Sequence, residues 1–267
     1  MVIFRNEDKG IELFFSHFIK EWSKDREQQL LKKVFLAFSN IPYENLTKHN
    51  YIKEKFASPF DIMRGYLEFG TGGTCFPLTY FLKRVLDFLG FNSYIVLADR
   101  TYAPSSHCVV ITQIRDKLYL GDIGFSIFFP VDISQSKIRV KTVQGELEFL
   151  WSNDGKRIDV FTIFENGHRK FRYSVKLEKI SFDDFLSAWE KTFEFEMMNH
   201  IVVVKLLKDK LIYLRDNFVH IIKDGVSKNI KLDSIFELEN FVEKIGIKKE
   251  VFKKVCAKLG YGSSERT

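Results

Sequence analysis

Gly70-Thr71-Gly72-Gly73-Thr74-Cys75-Phe76-Pro77 opens the part of the sequence around which the rest can be arranged. Beyond it, apolar residues recur with the spacing of one buried helical face, at Leu78, Phe81, Leu82, Val85, Leu86 and Leu89. Proline is tolerated only in the first turn of a helix, so Pro77 predicts a helix that begins within a residue or two of Cys75 and stops at Gly90. A thiol at a helix N-terminus has a lowered pKa, because unpaired N–H groups and the helix dipole stabilise the thiolate.

A predicted hairpin further along the chain places a histidine near an aspartate. Residues 107–113 and 117–123 have the composition of two strands joined by a short turn. A four-residue connection sets Asp122 opposite Val109, on the face that carries His107, because side chains alternate along a strand. Diagonal neighbours on one face lie about 7–8 Å apart, within reach of a carboxylate and an imidazole.

Cys75, His107 and Asp122 are therefore candidates for a nucleophile, its base and the carboxylate that orients the base. Cys108 points to the opposite face of its strand from His107 and is the weaker candidate for the thiol. A metal site made of these residues would need a fourth ligand or a water, so no metal is expected. The three cysteines, which include Cys256, are widely spaced and do not indicate a disulfide framework.

The periodicity of the sequence predicts a mixed α+β architecture. Residues 1–69 have helical spacing, whereas residues 91–180 alternate with period two and predict an antiparallel barrel or curled sheet. Ser181 is the predicted N-cap of a following helix. Residues 200–232 form a second group of strands, and residues 248–259 an amphipathic helix.

Four motifs resemble those of the arylamine N-acetyltransferases. Ile41-Pro42-Tyr43-Glu44-Asn45-Leu46 is similar to that family's Ile-Pro-Phe-Glu-Asn-Leu, and Gly72-Gly73-Thr74-Cys75-Phe76 to its Arg-Gly-Gly-x-Cys motif. His107 and Asp122-Ile123-Gly124-Phe125 match its histidine and its Asp-Val-Gly-Phe motif. The specific part of the resemblance covers residues 41–125, and beyond Phe125 it is diffuse.

The resemblance implies an N-terminal helical bundle, an antiparallel β-barrel and a C-terminal α/β lid around a papain-like thiol core. The corresponding domains would be residues 1–90, 91–195 and 196–267. It also implies that an acetyl group passes from acetyl-CoA through a cysteine acyl-enzyme to an arylamine, an arylhydrazine or a similar amine. This ping-pong reaction needs no bound cofactor or metal, and Phe125 would line the acceptor pocket.

The sequence departs from the family pattern on both sides of the cysteine. Thr71 stands where the family has arginine, and Pro77 where it usually has glutamate, which leaves the partner of Glu44 open. A shifted site or a different substrate is the expected consequence. Alternatives are an amide synthase that uses a carrier-bound acyl chain, a thiol hydrolase, or a degenerate member without catalysis.

Composition excludes several other classes of protein. The net charge is +6 and the isoelectric point about 9.0, but lysines and acids are interleaved and no nucleic-acid motif is present. A basic surface suits an anionic donor such as acetyl-CoA. No stretch approaches 18 apolar residues, and the first nine residues are charged too early for a signal peptide, so no membrane association and a cytoplasmic location are expected. The acceptor and the oligomeric state stay open.

Overall fold

The N-terminal part of the chain is helical, as its periodicity predicts. The computed structural model describes residues 6–21, 26–50 and 56–261. Its first elements are α1 (Glu7–Phe18), α2 (Glu27–Phe38), β1 (Tyr43–Glu44), α3 (Leu46–Asn50), α4 (Pro59–Phe69) and α5 (Cys75–Phe88). The predicted stripe on α5 is confirmed from Leu78 to Leu86, where its apolar side chains are fully buried. Its last member, Leu89, caps the helix and is only partly buried.

Phenylalanine rings fill the interior of this helical part. The rings of Phe14, Phe38 and Phe81 form a triangle with centroid distances of 4.7, 5.4 and 5.1 Å. Such tilted and edge-on contacts are favourable beyond the area they bury. Helix α4 ends where Gly70 adopts the left-handed conformation, at φ 71°, and this sharp stop turns the chain toward the thiol.

Eight antiparallel strands form a nearly closed barrel. They are β2 (Asn92–Arg100), β3 (Ala103–Ile114), β4 (Lys117–Gly121), β5 (Val131–Asp132), β6 (Lys137–Thr142), β7 (Gly145–Trp151), β8 (Arg157–Ile163) and β9 (Arg169–Lys176). Their order in the sheet is β5-β4-β3-β2-β9-β8-β7-β6. The fully buried side chains of Val109, Phe149, Val160 and Tyr173 belong to the barrel core.

The register of the β3–β4 hairpin agrees with the prediction. Val110 pairs with Gly121, so continuation of the ladder sets Asp122 opposite Val109. The two turn residues are Arg115 and Asp116, of which Arg115 has φ 55°. The length of the turn fixes which residues of the two strands pair. Asp122 therefore lies on the same face of the hairpin as His107.

The C-terminal part combines a second sheet with helices. It follows α6 (Phe182–Lys191) and a 3₁₀ turn (Glu196–Asn199), and contains β10 (Val202–Leu207), β11 (Lys210–Arg215), β12 (Phe218–Lys223), β13 (Val226–Lys231), α7 (Ile235–Lys244) and α8 (Lys249–Leu259). Ser181 caps α6 as predicted, because its Oγ accepts the N–H of Asp184 at 3.1 Å. Together with the bundle and the barrel, this confirms the predicted α+β class. Among the described residues, none of the helices has both the length and the apolar character that crossing a bilayer requires.

The second sheet is joined to the N-terminal part through β1 and Asn45. Glu44 pairs with Val203, so the short β1 is the edge strand of the C-terminal sheet. The side chain of Asn45 accepts the N–H of Val202 at 2.9 Å and donates to the carbonyl of His200 at 2.8 Å. These bonds hold the segment before β10 beside the start of α5.

Candidate active site

Cys75 is the first residue of α5, as the position of Pro77 predicts. The chain reaches it through a close approach to β1, where the carbonyl of Gly73 accepts the N–H of Glu44 at 3.0 Å. A Cβ on Gly72 would collide with the carbonyl oxygen of Pro42, so only glycine fits there. The thiol therefore lies at a helix N-terminus on a backbone held against β1, and Cys75 is 7% exposed.

His107 and Asp122 form a fully buried pair. Nε2 of His107 and Oδ2 of Asp122 are 2.7 Å apart, and Oδ1 of Asp122 accepts the backbone N–H of Phe125 at 2.9 Å. Nδ1 of His107 lies 3.3 Å from a guanidinium nitrogen of Arg100. A guanidinium only donates, so in the neutral imidazole Nδ1 accepts and Nε2–H donates to Asp122.

The surroundings of His107 favour its protonation. Burial lowers the pKa of His107 and is the largest single effect, but the charge of Asp122 and the hydrogen bonds of the ring together raise that pKa above its ordinary value. Arg100 opposes this effect, whereas the hydrogen bonds with Asp122 and Cys75 support it. The imidazole is therefore poised to hold a proton taken from the thiol.

The thiol of Cys75 is in contact with two hydrogen-bonding side chains. The hydrogen bond with Cys108 contributes most to a Cys75 pKa well below the ordinary value, and His107 and Arg100 lower it further, while burial raises it. Burial, followed by the contact with Cys75, raises the pKa of Cys108 well above the ordinary value. Cys108 faces away from His107 as predicted, and it lies in the apolar cluster that also contains Cys75.

Gly124 permits the close packing of the thiol and the imidazole. A Cβ on Gly124 would lie 2.5 Å from Cβ of Cys75 and 3.1 Å from Cε1 of His107. No side chain fits in that space, so the glycine of the Asp122–Phe125 motif lets the 3₁₀ turn Ile123–Phe125 lie directly against the site.

The cavity over Cys75 is small. Its volume is about 30 Å³, and its walls include Tyr43, Tyr102, Phe195 and Met197. That space admits about one water molecule. The side chains of Phe195 and Met197 are among those that narrow the approach to the thiol.

Two cations lie in the walls of this cavity. Burial lowers the pKa of Lys48 to about 8, against the attraction of Cys75, which raises it. The Lys48 ammonium donates to Oγ1 of Thr192 and lies 4.1 Å from the ring centre of Phe193. The Nε of Arg100 has no hydrogen-bond partner among the described residues. Both cations place positive charge beside the thiol.

Phe125 lies on the barrel side of the site. Its ring is half-buried, edge-on to Tyr173 at 5.5 Å, and 5.9 Å from the guanidinium of Arg100. It is not among the side chains around the small cavity over Cys75. Its predicted role in lining the acceptor pocket stays a prediction.

The structure shows how Glu44 is accommodated where the family motif has lost its arginine. Its Oε1 accepts the N–H of Gly72 at 3.0 Å and the hydroxyl of Thr47 at 2.8 Å, and its Oε2 accepts the N–H of Thr47 at 2.9 Å. Burial raises the pKa of Glu44 despite these bonds. Thr71, at the arginine position, is itself buried.

Sequence reasoning did not single out Arg100 and Lys48. Arg100 is the last residue of β2 and lies on the same face as the buried residues Val96 and Ala98. A charged residue at a position where the alternation predicts a buried one could therefore have identified it. Lys48 follows the Ile41–Leu46 motif by two residues, but its position depends on packing against Thr192, which is distant in sequence.

This arrangement of helical bundle, barrel and C-terminal α/β unit around a helix-start thiol defines the class of protein. The chain belongs to the N-acetyltransferase family, whose model matches residues 28–253, and it is therefore an enzyme. The family predicted from the four sequence motifs is confirmed. No curated protein sequence matches the chain significantly.

Solved structures of arylamine N-acetyltransferases share this fold. The enzyme of Salmonella typhimurium is 18% identical, with 93% of this chain and 98% of that chain covered and a TM-score of 0.79. The enzyme of Mycobacterium abscessus is also 18% identical, with 97% and 99% covered and a TM-score of 0.81. A Bacillus cereus enzyme, described as having a unique Cys-His-Glu catalytic triad, is 17% identical, with 90% and 98% covered and a TM-score of 0.73.

Proposed function

We propose that the chain transfers an acetyl group from acetyl-CoA to an arylamine, an arylhydrazine or a similar amine through an acetyl-cysteine at Cys75. The observation that carries this proposal is the arrangement of Cys75, His107 and Asp122 in one buried site. The thiol of Cys75 lies at a helix N-terminus and hydrogen-bonds with His107, and Nε2 of His107 lies 2.7 Å from Asp122. Nucleophilic acyl transfer requires an activated nucleophile, and a thiol with a base and an orienting carboxylate provides one.

In the first half-reaction, the Cys75 thiolate attacks the thioester carbonyl of acetyl-CoA. A carbon–sulfur bond to Cys75 forms, the bond to the CoA sulfur breaks, and the CoA thiolate takes the proton held by His107. Backbone N–H groups at the start of α5 are placed to stabilise the negative oxygen of the tetrahedral intermediate. Asp122 stabilises the imidazolium until the proton leaves.

In the second half-reaction, the amine attacks the acetyl-cysteine. His107 takes the proton of the attacking nitrogen, and the Cys75 thiolate leaves, which restores the starting enzyme. Both substrates use the same thiol, so the first product must leave before the acceptor enters. A ping-pong order follows from the covalent acetyl-cysteine that links the two half-reactions.

The walls of the cavity support an aromatic acceptor. Tyr43, Tyr102 and Phe195 surround the approach to Cys75 with rings. Flat aromatic surfaces pack well against each other, so a planar amine gains binding energy there. The Bacillus cereus relative, described with a Cys-His-Glu triad, supports a carboxylate as the group required at the position of Asp122.

Initial-rate kinetics test this proposal. Rates measured against acetyl-CoA at several fixed concentrations of an aromatic amine are expected to give parallel double-reciprocal lines and an N-acetylated product. His107→Gln is expected to abolish turnover, whereas His168→Gln, an exposed histidine at a hairpin turn, leaves it unchanged. Intersecting lines, or release of acetate at the same rate with and without amine, would contradict the proposal.

A further inference from the structure

A second buried cysteine lies beside the reactive one where α5 packs on β3. Cys108 and Cys75 belong to one buried apolar cluster with Phe76, Tyr80 and Leu97. Cys108 has no exposed surface. The interaction between the two thiols lowers the pKa of Cys75 and raises that of Cys108.

The backbone holds the two cysteines beside each other. Thr79, one helical turn after Cys75, donates its hydroxyl to the carbonyl of Cys108 at 3.3 Å. On the other side, Cys108 pairs with Leu97 in the β2–β3 ladder. Helix α5 and strand β3 are therefore fixed to each other at the position where the two side chains meet.

From this geometry we propose that Cys75 and Cys108 form a reversible disulfide when the enzyme meets a hydroperoxide. The two thiols differ in their pKa, as the reaction requires. The pKa of Cys75 is well below the ordinary value and that of Cys108 well above it, so Cys75 ionises more readily and is the stronger nucleophile. The bond, once formed, removes the nucleophile from acyl transfer. The proposal concerns the thiol pair alone and holds whatever the acyl donor is.

Oxidation proceeds in two balanced steps. The Cys75 thiolate attacks one oxygen of the hydroperoxide, the O–O bond breaks, and Cys75 becomes a sulfenic acid. The alkoxide or hydroxide that leaves takes the proton held by His107 and becomes an alcohol or water. The Cys108 sulfur then attacks the Cys75 sulfur, and the hydroxyl group leaves with the Cys108 proton as water. Both sulfurs have lost one electron each, and a small dithiol returns them to the thiol state by exchange.

The disulfide protects the nucleophile from irreversible oxidation. A sulfenic acid that meets no second thiol is oxidised further to a sulfinic acid, which dithiols do not reduce. In this protein the second thiol lies in the same buried cluster as Cys75, so the disulfide is expected to form first. Cys256 lies in a different apolar cluster, in α8, and burial raises its pKa to about 12, which makes it an inert reference thiol.

Intact-protein mass spectrometry tests the proposal without any acyl donor. Wild-type enzyme is treated with hydrogen peroxide, denatured and alkylated. We expect it to lose two hydrogen atoms and to retain one alkylatable thiol of its three, with a Cys75–Cys108 crosslink in the peptide map. Dithiothreitol should restore all three thiols. A wild-type protein that gains two oxygens at Cys75 while Cys108 is still alkylated would overturn the proposal.

Two variants make the assignment specific. Cys108→Ser retains a hydroxyl of similar size but has no second sulfur, so peroxide should convert its Cys75 to the sulfinic acid, and dithiothreitol should recover little of the thiol. Cys256→Ala should behave as the wild type, with loss of two hydrogens and full recovery. Crosslinking that depends on Cys256, or full recovery in Cys108→Ser, would contradict an intramolecular Cys75–Cys108 disulfide.

Discussion

The carboxylate of Glu44 accepts the backbone N–H of Gly72 at 3.0 Å, three residues before the nucleophile. The family motif has an arginine beside this glycine, and this chain has Thr71. The structure replaces the missing cation with the N–H and hydroxyl groups of Thr47. A buried carboxylate bound only by neutral donors lets the loop before Cys75 keep its course without an ion pair.

This arrangement predicts a pH-dependent cost of burying Glu44. Burial raises its pKa in the folded state above the unfolded value, so the folded protein binds the proton more tightly. The contribution of Glu44 to stability is therefore present below the unfolded pKa and is lost as pH rises through the folded pKa. Relative to wild type, Glu44→Gln should gain stability as pH rises from about 4 to 7, because it cannot ionise.

Urea denaturation of both proteins at several pH values measures this difference. Glu146→Gln removes a carboxylate that is only half-buried in β7 and should show a weaker pH dependence. A constant difference between Glu44→Gln and wild type across the range would contradict the neutral-donor account.

Gly124→Ala should damage the site more than the fold. The new methyl group would lie 2.5 Å from Cβ of Cys75, so the thiol must move away from His107. Overpacking of this kind costs about 1–3 kcal/mol of stability, and misplacement of reacting groups by about 1 Å costs on the order of 100-fold in rate. Gly155→Ala is the control. Its backbone is in the left-handed region, so alanine is strained there too, but an added Cβ would have no neighbouring atom within 4 Å. Equal turnover in the two variants, measured with acetyl-CoA and an aromatic amine, would be inconsistent with this packing.

Lys48→Met should stabilise the protein at neutral pH. Burial lowers the pKa of Lys48 to about 8, so the folded state binds the proton less tightly than the unfolded chain. Wild type therefore gains stability as pH rises from about 8 toward the ordinary lysine value near 10.4. The variant lacks this cost, and its advantage of about 1–3 kcal/mol at pH 7, reduced by the lost contact with Phe193, should shrink above pH 8.

Chemical denaturation at pH 7 and pH 9.5 checks this expectation. Lys254→Met, at an exposed position of α8, serves as the control and should show no such difference. A Lys48→Met protein that is less stable than wild type by the same margin at both pH values would show that burial of the ammonium carries no cost.

Asp122→Asn should abolish efficient turnover while preserving the fold. The amide keeps an acceptor for the N–H of Phe125, but its NH₂ group then faces Nε2 of His107 and forces the wrong tautomer. It also removes the charge that holds the pKa of His107 above its ordinary value. We expect a loss of about 10²–10⁴-fold in kcat. Asp132→Asn, beside Lys117 on the barrel surface, should retain full kcat; retention in Asp122→Asn as well would exclude this role.

Local sequence patterns were sufficient to predict that the thiol lies at a helix start and that Asp122 and His107 share one face of the hairpin. The stripe from Leu78 to Leu89 and the proline at position 77 place Cys75 at the start of α5, because helix periodicity and proline geometry act over a few residues. Likewise, the two-residue turn at Arg115 fixes which face Asp122 occupies.

Other features depend on contacts that sequence patterns do not encode. Strands β6 and β7 were not named in the prediction, although residues 137–141 and 146–149 alternate polar and apolar side chains. Glu148 is a buried carboxylate that pairs with Arg139 and Arg169. Helix α7 was also missed, although Ser234 and Glu237 stand at the spacing of a capping box. The contact between Cys75 and Cys108 arises from the packing of α5 on β3, and strand alternation alone does not reveal it.

The acetyl-cysteine itself is the species to measure first. Wild-type enzyme, exposed briefly to acetyl-CoA and quenched in acid, is predicted to gain one acetyl group by intact mass, located on the peptide that contains Cys75. Cys256→Ala should gain the same group, and Cys75→Ala should gain none. An unmodified wild-type protein whose Cys75 is still rapidly alkylated, or an equal acetyl adduct in Cys75→Ala, would contradict acyl transfer through this thiol.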